Sequence, residues 1–426
     1  MSDWHTFTPT RAAGLERSQA FAASAGRAYA STRNHDYGPG NRSNVSCLSP
    51  WLRHRLVLER EVIADVLAEH SPNGAEKFIA EVFWRTYFKG WLEHRPEVWD
   101  VYLHDVGEID AAWRADPEQA AALEAALAGE TGIACFDAWI EELVTYGYLH
   151  NHTRMWFASI WIFTLRLPWQ LGADFFLRHL LDGDPASNTL SWRWVGGLHT
   201  KGKTYLATAS NIVRFTDGRF GRGPQLSRQL ADQAPALDED EEHDRGVLDF
   251  SDVPGTGPCV LLIGEDDCSA ETLTFRASPV AIIASHAASM RSPATAVSAA
   301  VMGFTDSAIQ NAAERASAHY DVAHEIVAAE ALGEKLVALC AEKNVDRVVV
   351  ARPPVGPFKD LLARIAPSLA AEGFTIERVG REYDQAAWPH ASKGFFGLKK
   401  KIPGLIKSLD LALPVVRGEA PTSTAA

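Results

Sequence analysis

Residues 150–163 read HNHTRMWFASIWIF and residues 180–194 read LLDGDPASNTLSWRW; the reading of these two stretches decides the fold. The first predicts a helix ending at Leu167, because Pro168 disfavours helical geometry in the residue before it. On that helix Asn151, Arg154 and Met155 sit at i, i+3 and i+4 and share one face. An amide, a guanidinium and a thioether are an odd set for a plain apolar core. A second helix follows at roughly 171–181, and then Asp182-Gly183-Asp184-Pro185, where Gly and Pro beside two carboxylates mark a turn. Asn188, Trp192 and Trp194 come next. Arg154 and the Asp182/Asp184 pair are buried charges that need each other. They read either as a structural salt bridge closing two helices or as the floor of a polar pocket.

Working outward, 426 residues with 46% apolar content predict two or more domains with sizeable cores. A net charge of −13 argues against nucleic-acid binding driven by overall charge, which leaves local basic patches to do it. Cys47, Cys135, Cys259, Cys268 and Cys340 form no CxxC, so neither a disulfide framework nor a metal site is expected. The opening MSDWHTFTPTR lacks an apolar h-region, and IWIFTL is cut short by Arg166 and Pro168. These features predict a soluble, cytoplasmic protein of a reducing compartment. Twelve of the thirteen tryptophans precede Val195, which makes the first half the part to read closely.

In that half, residues 1–30 read as helical, with Tyr29 and Arg33 one turn apart. The loop HDYGPGNRSN leads into VSCLSPWL at 45–52, where Ser49-Pro50 starts a helix and the free N–H groups of its first turn suit an anion. Residues 75–93 form an aromatic helix on which Glu81, Trp84 and Arg85 sit at i, i+3 and i+4. A surface Glu–Arg pair and a pocket wall are both open readings of that triplet. Trp113, Trp169 and Trp192 are 56 and 23 residues apart, spacings with no local structural meaning.

HNxxRM, an intervening Trp, DGDxxxN and WxW, in this order, resemble the FAD-binding domain of the photolyase/cryptochrome family, in particular its cyclobutane-dimer photolyases. The resemblance implies FAD as cofactor. It assigns Tyr29, Arg33, Ser46, Cys47, Leu48 and Ser49 to the flavin pyrophosphate side, although Val45 stands where the family usually has Thr, and Cys47 where it often has Arg. It sets Arg154 and Asp182 as an ion pair beside the isoalloxazine, Asp184 at the ribityl and ring edge, and Asn188 facing N5, with Trp84, Arg85 and Asn151 also lining the cofactor. Glu81, Trp84, Asn151, Met155 and Trp194 match substrate-side positions, and Trp192, Trp169 and Trp113 match an electron wire from flavin to solvent. His152 stands where the dimer-splitting enzymes carry Arg, while Met155 argues against the (6-4) subclass. The implied activity is blue-light splitting of pyrimidine dimers in DNA. The alternative is a cryptochrome-like photoreceptor that signals to a partner protein.

Past Trp194 the family text gives way to VGGLHTKGKTYLATASNIVRFTDGRF, in which Lys201, Lys203, Arg214, Arg219 and Arg222 interleave with Tyr205 and Phe215. That cluster reads as a solvated loop face or as a track for a phosphate backbone. Residues 223–257, with DEDEEHD at 238–244, read as an acidic flexible linker. From Pro258 the runs CVLLIG, SPVAIIAS, VDRVVVA and FTIERV read as buried parallel strands between Ala-rich crossover helices. The expected architecture is thus an all-helical FAD-binding domain over 1–222 and a doubly wound parallel α/β domain over 258–395. A tail, 396–426, carries the basic segment KKKIPGLIKS. The α/β part resembles the family's antenna domain in outline, placed after the flavin domain instead of before it. No residue for an antenna pigment is carried over, and its identity is left open.

Overall fold

The computed structural model describes residues 6–221, 224–239, 243–251 and 255–414; Arg222, part of the DEDEEHD run and the end of the tail lie outside them. The first half is helical and the second holds a sheet of five parallel strands in the order β3-β2-β1-β4-β5. These are β1 Gly257–Gly264, β2 Ala277–Ser285, β3 His324–Ile326, β4 Arg347–Ala351 and β5 Thr375–Val379. Four coincide with the runs expected from the sequence. The fifth, β3, has only three residues, none fully buried, and so lacks the apolar run that announces a parallel strand.

Alternation along β1 divides the sheet between two cores. Val260 and Leu262 face Leu336 and Leu361, from the crossover helices Leu332–Lys343 and Pro357–Ala371. Leu261 and Ile263 face the other way, into a core built from the helix Ala299–Tyr320 and the N-terminal helices, with Phe21, Trp51, Phe78 and Phe83. The helical half and the α/β half therefore share one apolar core. A third set of side chains, rich in Trp, lies wholly within the helical half except for Val355.

The crevice beyond the carboxyl end of β1 is where open α/β sheets commonly bind ligands. Here it carries Glu265, Asp266 and Asp267, and the helical half meets them with arginines. Arg53, fully buried, pairs with Asp266 and gives its Nε–H to the Gly183 carbonyl at 2.9 Å. Arg55 makes a two-pronged pair with Asp384 at 2.8 and 2.7 Å. Burial works against ionising Glu265, but Arg291 and Arg53 hold its carboxyl down at about 2. The turn at Gly183 is thereby tied across the domain junction.

Several sequence expectations are corrected. The helix after His150 runs as Asn151–Ser159 and then widens into a π-helical turn, Ile160–Thr164, before Arg166 adopts φ +56. Where one helical stretch was expected over 1–30, the described residues form two helices, Arg11–Ala22 and Arg27–Thr32. The described part of the linker is anchored: Leu226 and Leu230 are buried in the Trp-rich core, Leu237 bonds Gly196, and Glu239 pairs with Arg193. Beyond residue 395 the chain still packs. The helices Phe395–Lys399 and Ile402–Ser408 bury Leu398, Ile402, Leu405 and Ile406 in the shared core, because KKKIPGLIKS is amphipathic.

Candidate flavin site

The DGD turn is set by the elements around it. Gly147, at φ +64, ends the helix Ala134–Tyr146, and a Cβ there would stand 2.7 Å from Leu181 Cγ. Its carbonyl accepts from Leu181 at 2.9 Å, which fixes where the turn begins. Asp184 ends the turn as the N-cap of the helix Pro185–Val195, its Oδ1 accepting from Ser187 N at 2.8 Å. The same carboxylate meets Lys89 at 3.2 Å and Arg85 at 3.5 Å. Burial alone would raise its pKa, yet Lys89, Arg85 and Arg53 hold it far below the usual carboxylate range. Burial in turn pulls the Lys89 ammonium down, against Asp184. Lys89, Arg53 and Asp266 were missed by sequence reading, since no motif marks them.

Arg154 and Asp182 form the expected pair, two-pronged at 3.0 and 2.8 Å, and Arg154 Nε donates to the Leu149 carbonyl at 3.0 Å. The Tyr148 ring lies 5.4 Å from the Arg154 guanidinium carbon and 5.1 Å from that of Arg42. Asn188, buried, donates from Nδ2 to the Ala173 carbonyl at 2.8 Å. That bond orients the amide and leaves its oxygen as an acceptor with no partner among the described residues.

Among the residues expected at the cofactor's phosphates, Tyr29 is packed edge-on against Phe78 at 5.1 Å and shares a hydrogen bond with Arg33. Arg33 Nη1 donates to Glu81 Oε1 at 2.5 Å. Ser46 Oγ accepts from Leu48 N at 3.4 Å, and Ser49 opens the short helix Ser49–Arg53. Cys47 is buried at φ +52, and burial pushes its thiol up, so it brings no charge where the family often has Arg.

The remaining residues spread around this centre. Glu81 keeps 31% of its side chain exposed, and its carboxyl is pushed up by burial with Arg33 opposing. Trp84 stacks face to face with Phe395 at 3.8 Å and 13°. Asn151 is exposed at the first helical position, with Met155 half-buried one turn on. Trp194 is stacked on Tyr205 at 5.8 Å, within the segment that departs from the family text. His152, the residue in the place of an Arg, is stacked on Trp156 at 4.2 Å and bonded to the Asn34 carbonyl. Of the five cations in the cluster after Trp194, Lys201, Lys203 and Arg214 are exposed and Arg219 is spent on Asp36.

Trp192, Trp169 and Trp113 lie on three mutually packed helices, Pro185–Val195, Trp169–His179 and Glu97–Ala115. Their rings are not adjacent. Trp192 meets Phe176 at 5.2 Å and Trp161 at 6.3 Å, while Trp169 meets Tyr102 at 5.7 Å. Gly172 permits the close approach of Trp192, since a Cβ there would stand 2.3 Å from its ring.

Residues 78–218 match the family model described as the FAD binding domain of DNA photolyase, the span that holds Glu81, Arg154, the DGD turn and Asn188. Over this span the chain is similar to the photolyase/cryptochrome family. It is 30% identical over 173 residues to a deoxyribodipyrimidine photo-lyase of Alkalihalophilus pseudofirmus, covering 40% of this chain and 35% of that one. It is 31% identical over 214 residues to the photo-lyase of Thermus thermophilus, covering 48% and 47%. A cryptochrome DASH of Ostreococcus tauri is 33% identical over 213 residues, covering 49% and 34%. The chain thus spans less than half the length of these relatives. FAD is the cofactor of this domain, and the polar set fits it: an oriented amide with an open acceptor, a clamped guanidinium–carboxylate pair and the half-buried Arg33. Among the described residues, no cluster suits a metal ion and no helix is long and apolar enough to cross a membrane.

Proposed function

We propose that this chain is a blue-light-driven photolyase that splits cyclobutane pyrimidine dimers in DNA. When bound and reduced, FAD supplies the light-driven electron that opens the cyclobutane ring and is then recovered. The observation that carries the reading is Glu81. It is a carboxyl pushed towards its neutral form by burial, still reachable from solvent, one turn from Trp84 and tied to Arg33. Such a group can give a hydrogen bond, or a proton, to the carbonyl of a base held against the Trp84 wall. Asn188 presents an acceptor to the flavin N5 edge, Arg154 and Asp182 balance charge beside the ring, and Arg33 with the Ser46–Ser49 segment holds the phosphates. A flipped-out lesion would also meet Asn151, Met155 and Trp194.

A cryptochrome-like photoreceptor without repair is favoured by one specific observation: Phe395 already covers the Trp84 face at 3.8 Å. The deciding experiment gives photoreduced, flavin-loaded protein an oligonucleotide with one thymine cyclobutane dimer, in blue light and in darkness. Restoration of the thymines only in light is the expected result. No restoration with photoreducible flavin in place replaces the lyase by the photoreceptor.

A further inference from the structure

The chain carries 54 acidic against 41 basic side chains, yet from Lys393 to Leu409 it has five lysines and no acid. Lys399 pairs with Glu76 at 2.8 Å. Lys393, Lys400, Lys401 and Lys407 are exposed and make no ion pair among the described residues. Phe396 is 73% exposed, the largest exposure of any large apolar side chain described, apart from Val247. Its neighbour Phe395 is buried, with the two rings 6.4 Å apart, and is the residue stacked on Trp84. A strip of free cations around an exposed aromatic ring therefore begins at the Trp84 wall itself.

We propose that Lys393–Lys407 is a docking surface for the phosphate backbone of DNA, with Phe396 as a platform on which a base stacks. This rests on the dimer-splitting reading and supplies what that reading lacks, a basic face on an acidic protein beside the pocket. The chemistry is that of non-specific nucleic-acid grooves, in which lysines track phosphates and an aromatic ring takes a base face. An anionic membrane surface fits less well. The amphipathic helix Ile402–Ser408 already spends Ile402, Leu405 and Ile406 on the protein core, so only its lysine side is offered outwards.

The test measures binding of flavin-loaded protein to a lesion-free fluorescent duplex and to a single strand across a salt series, by anisotropy. Each phosphate engaged contributes about 0.9 to the log–log salt slope on duplex. The variant with Lys393, Lys400, Lys401 and Lys407 all changed to Gln is expected to flatten that slope by up to about 3.6. Phe396→Ala is expected to weaken the single strand about tenfold and the duplex less. A control that removes Lys335 and Lys343, whose partners are Glu325 and Glu342, should leave both unchanged. Wild-type binding that survives the quadruple variant with the same slope overturns the surface and leaves the repair reading standing. No wild-type binding to either lesion-free DNA overturns the surface, while the repair reading is decided separately by the dimer-splitting assay. Binding to phosphatidylserine vesicles without binding to DNA overturns the proposal in favour of a lipid surface.

Discussion

Arg33 Nη1 and Glu81 Oε1 lie 2.5 Å apart, so the arginine expected at the cofactor's phosphates holds the carboxylate expected at the substrate. The pair is partly exposed, at 27% and 31% of the two side chains, and its contribution to stability is about 0–1 kcal/mol. Its two halves should separate on mutation. Glu81→Gln is expected to keep flavin and the melting temperature while lowering the yield of dimer splitting several-fold. Arg33→Ala is expected to shed flavin on gel filtration. If Glu81→Gln is the variant that loses its flavin, the carboxylate serves the cofactor and the assignment fails.

The Arg154–Asp182 pair was legible because both residues come in spaced motifs, one on a helix and one in the turn that follows the next helix. Arg154 and Asp182, 28 positions apart, meet as the sequence predicts. The residues that fix the turn from outside were not legible. Arg53 reaches Asp266 across 213 positions and Arg55 reaches Asp384 across 329. No local pattern predicts such pairs, since an arginine after a short helix reads as surface. Phe395 on Trp84 is of the same kind: the two are 311 positions apart, and only the tertiary fold brings the rings together. The four longer strands were legible from continuous apolar runs, and β3, with His324 and Glu325 in it, was not.

Phe395 gives the most direct test of how open the pocket is. Phe395→Leu keeps an apolar side chain in the shared core but removes the ring stacked on Trp84. Phe-to-Leu exchange in a packed site is expected to cost on the order of 1–2 kcal/mol, so the protein should still fold. If the dimer stacks on Trp84, the variant should bind dimer-bearing DNA more tightly, or split it at lower DNA concentration, than wild type. Unchanged affinity and yield would mean that Trp84 does not meet the substrate.

Trp169 tests the electron path. The three tryptophans sit on helices that pack pairwise, but the rings next to Trp192 are Phe176, Phe157 and Trp161. Phe cannot be oxidised in place of Trp, so Trp169→Phe should slow steady blue-light reduction of oxidised flavin several-fold and Trp161→Phe should not. The reverse result would reroute the path through Trp161, whose indole N–H is held by the Pro168 carbonyl at 2.8 Å.

Acid should loosen the fold before it reaches the carboxylates. Burial pushes His150 down to about 3, and His179 and His199 down to about 4, from an ordinary value near 6.5. Between about pH 6.5 and 4 the unfolded chain therefore takes up protons that the fold excludes, and stability is lost as the pH falls. Glu142 acts in the opposite sense. Burial, only partly offset by Arg42, raises it to about 7, so its contribution is full below about pH 4.5 and is lost as the pH rises through 7. Burial also lowers His54 and His152 and raises Glu81, Asp174 and Asp360; the imidazoles, which the unfolded chain protonates first as the pH falls, leave a net loss on acidification. Below about pH 4 the depressed Glu265 and Asp184 add to it with the same sign. The melting temperature of flavin-loaded protein should fall steadily from pH 6.5 to 4.5. A flat profile across that window would mean that these histidines become charged within the fold, and that the burial ascribed to them is wrong.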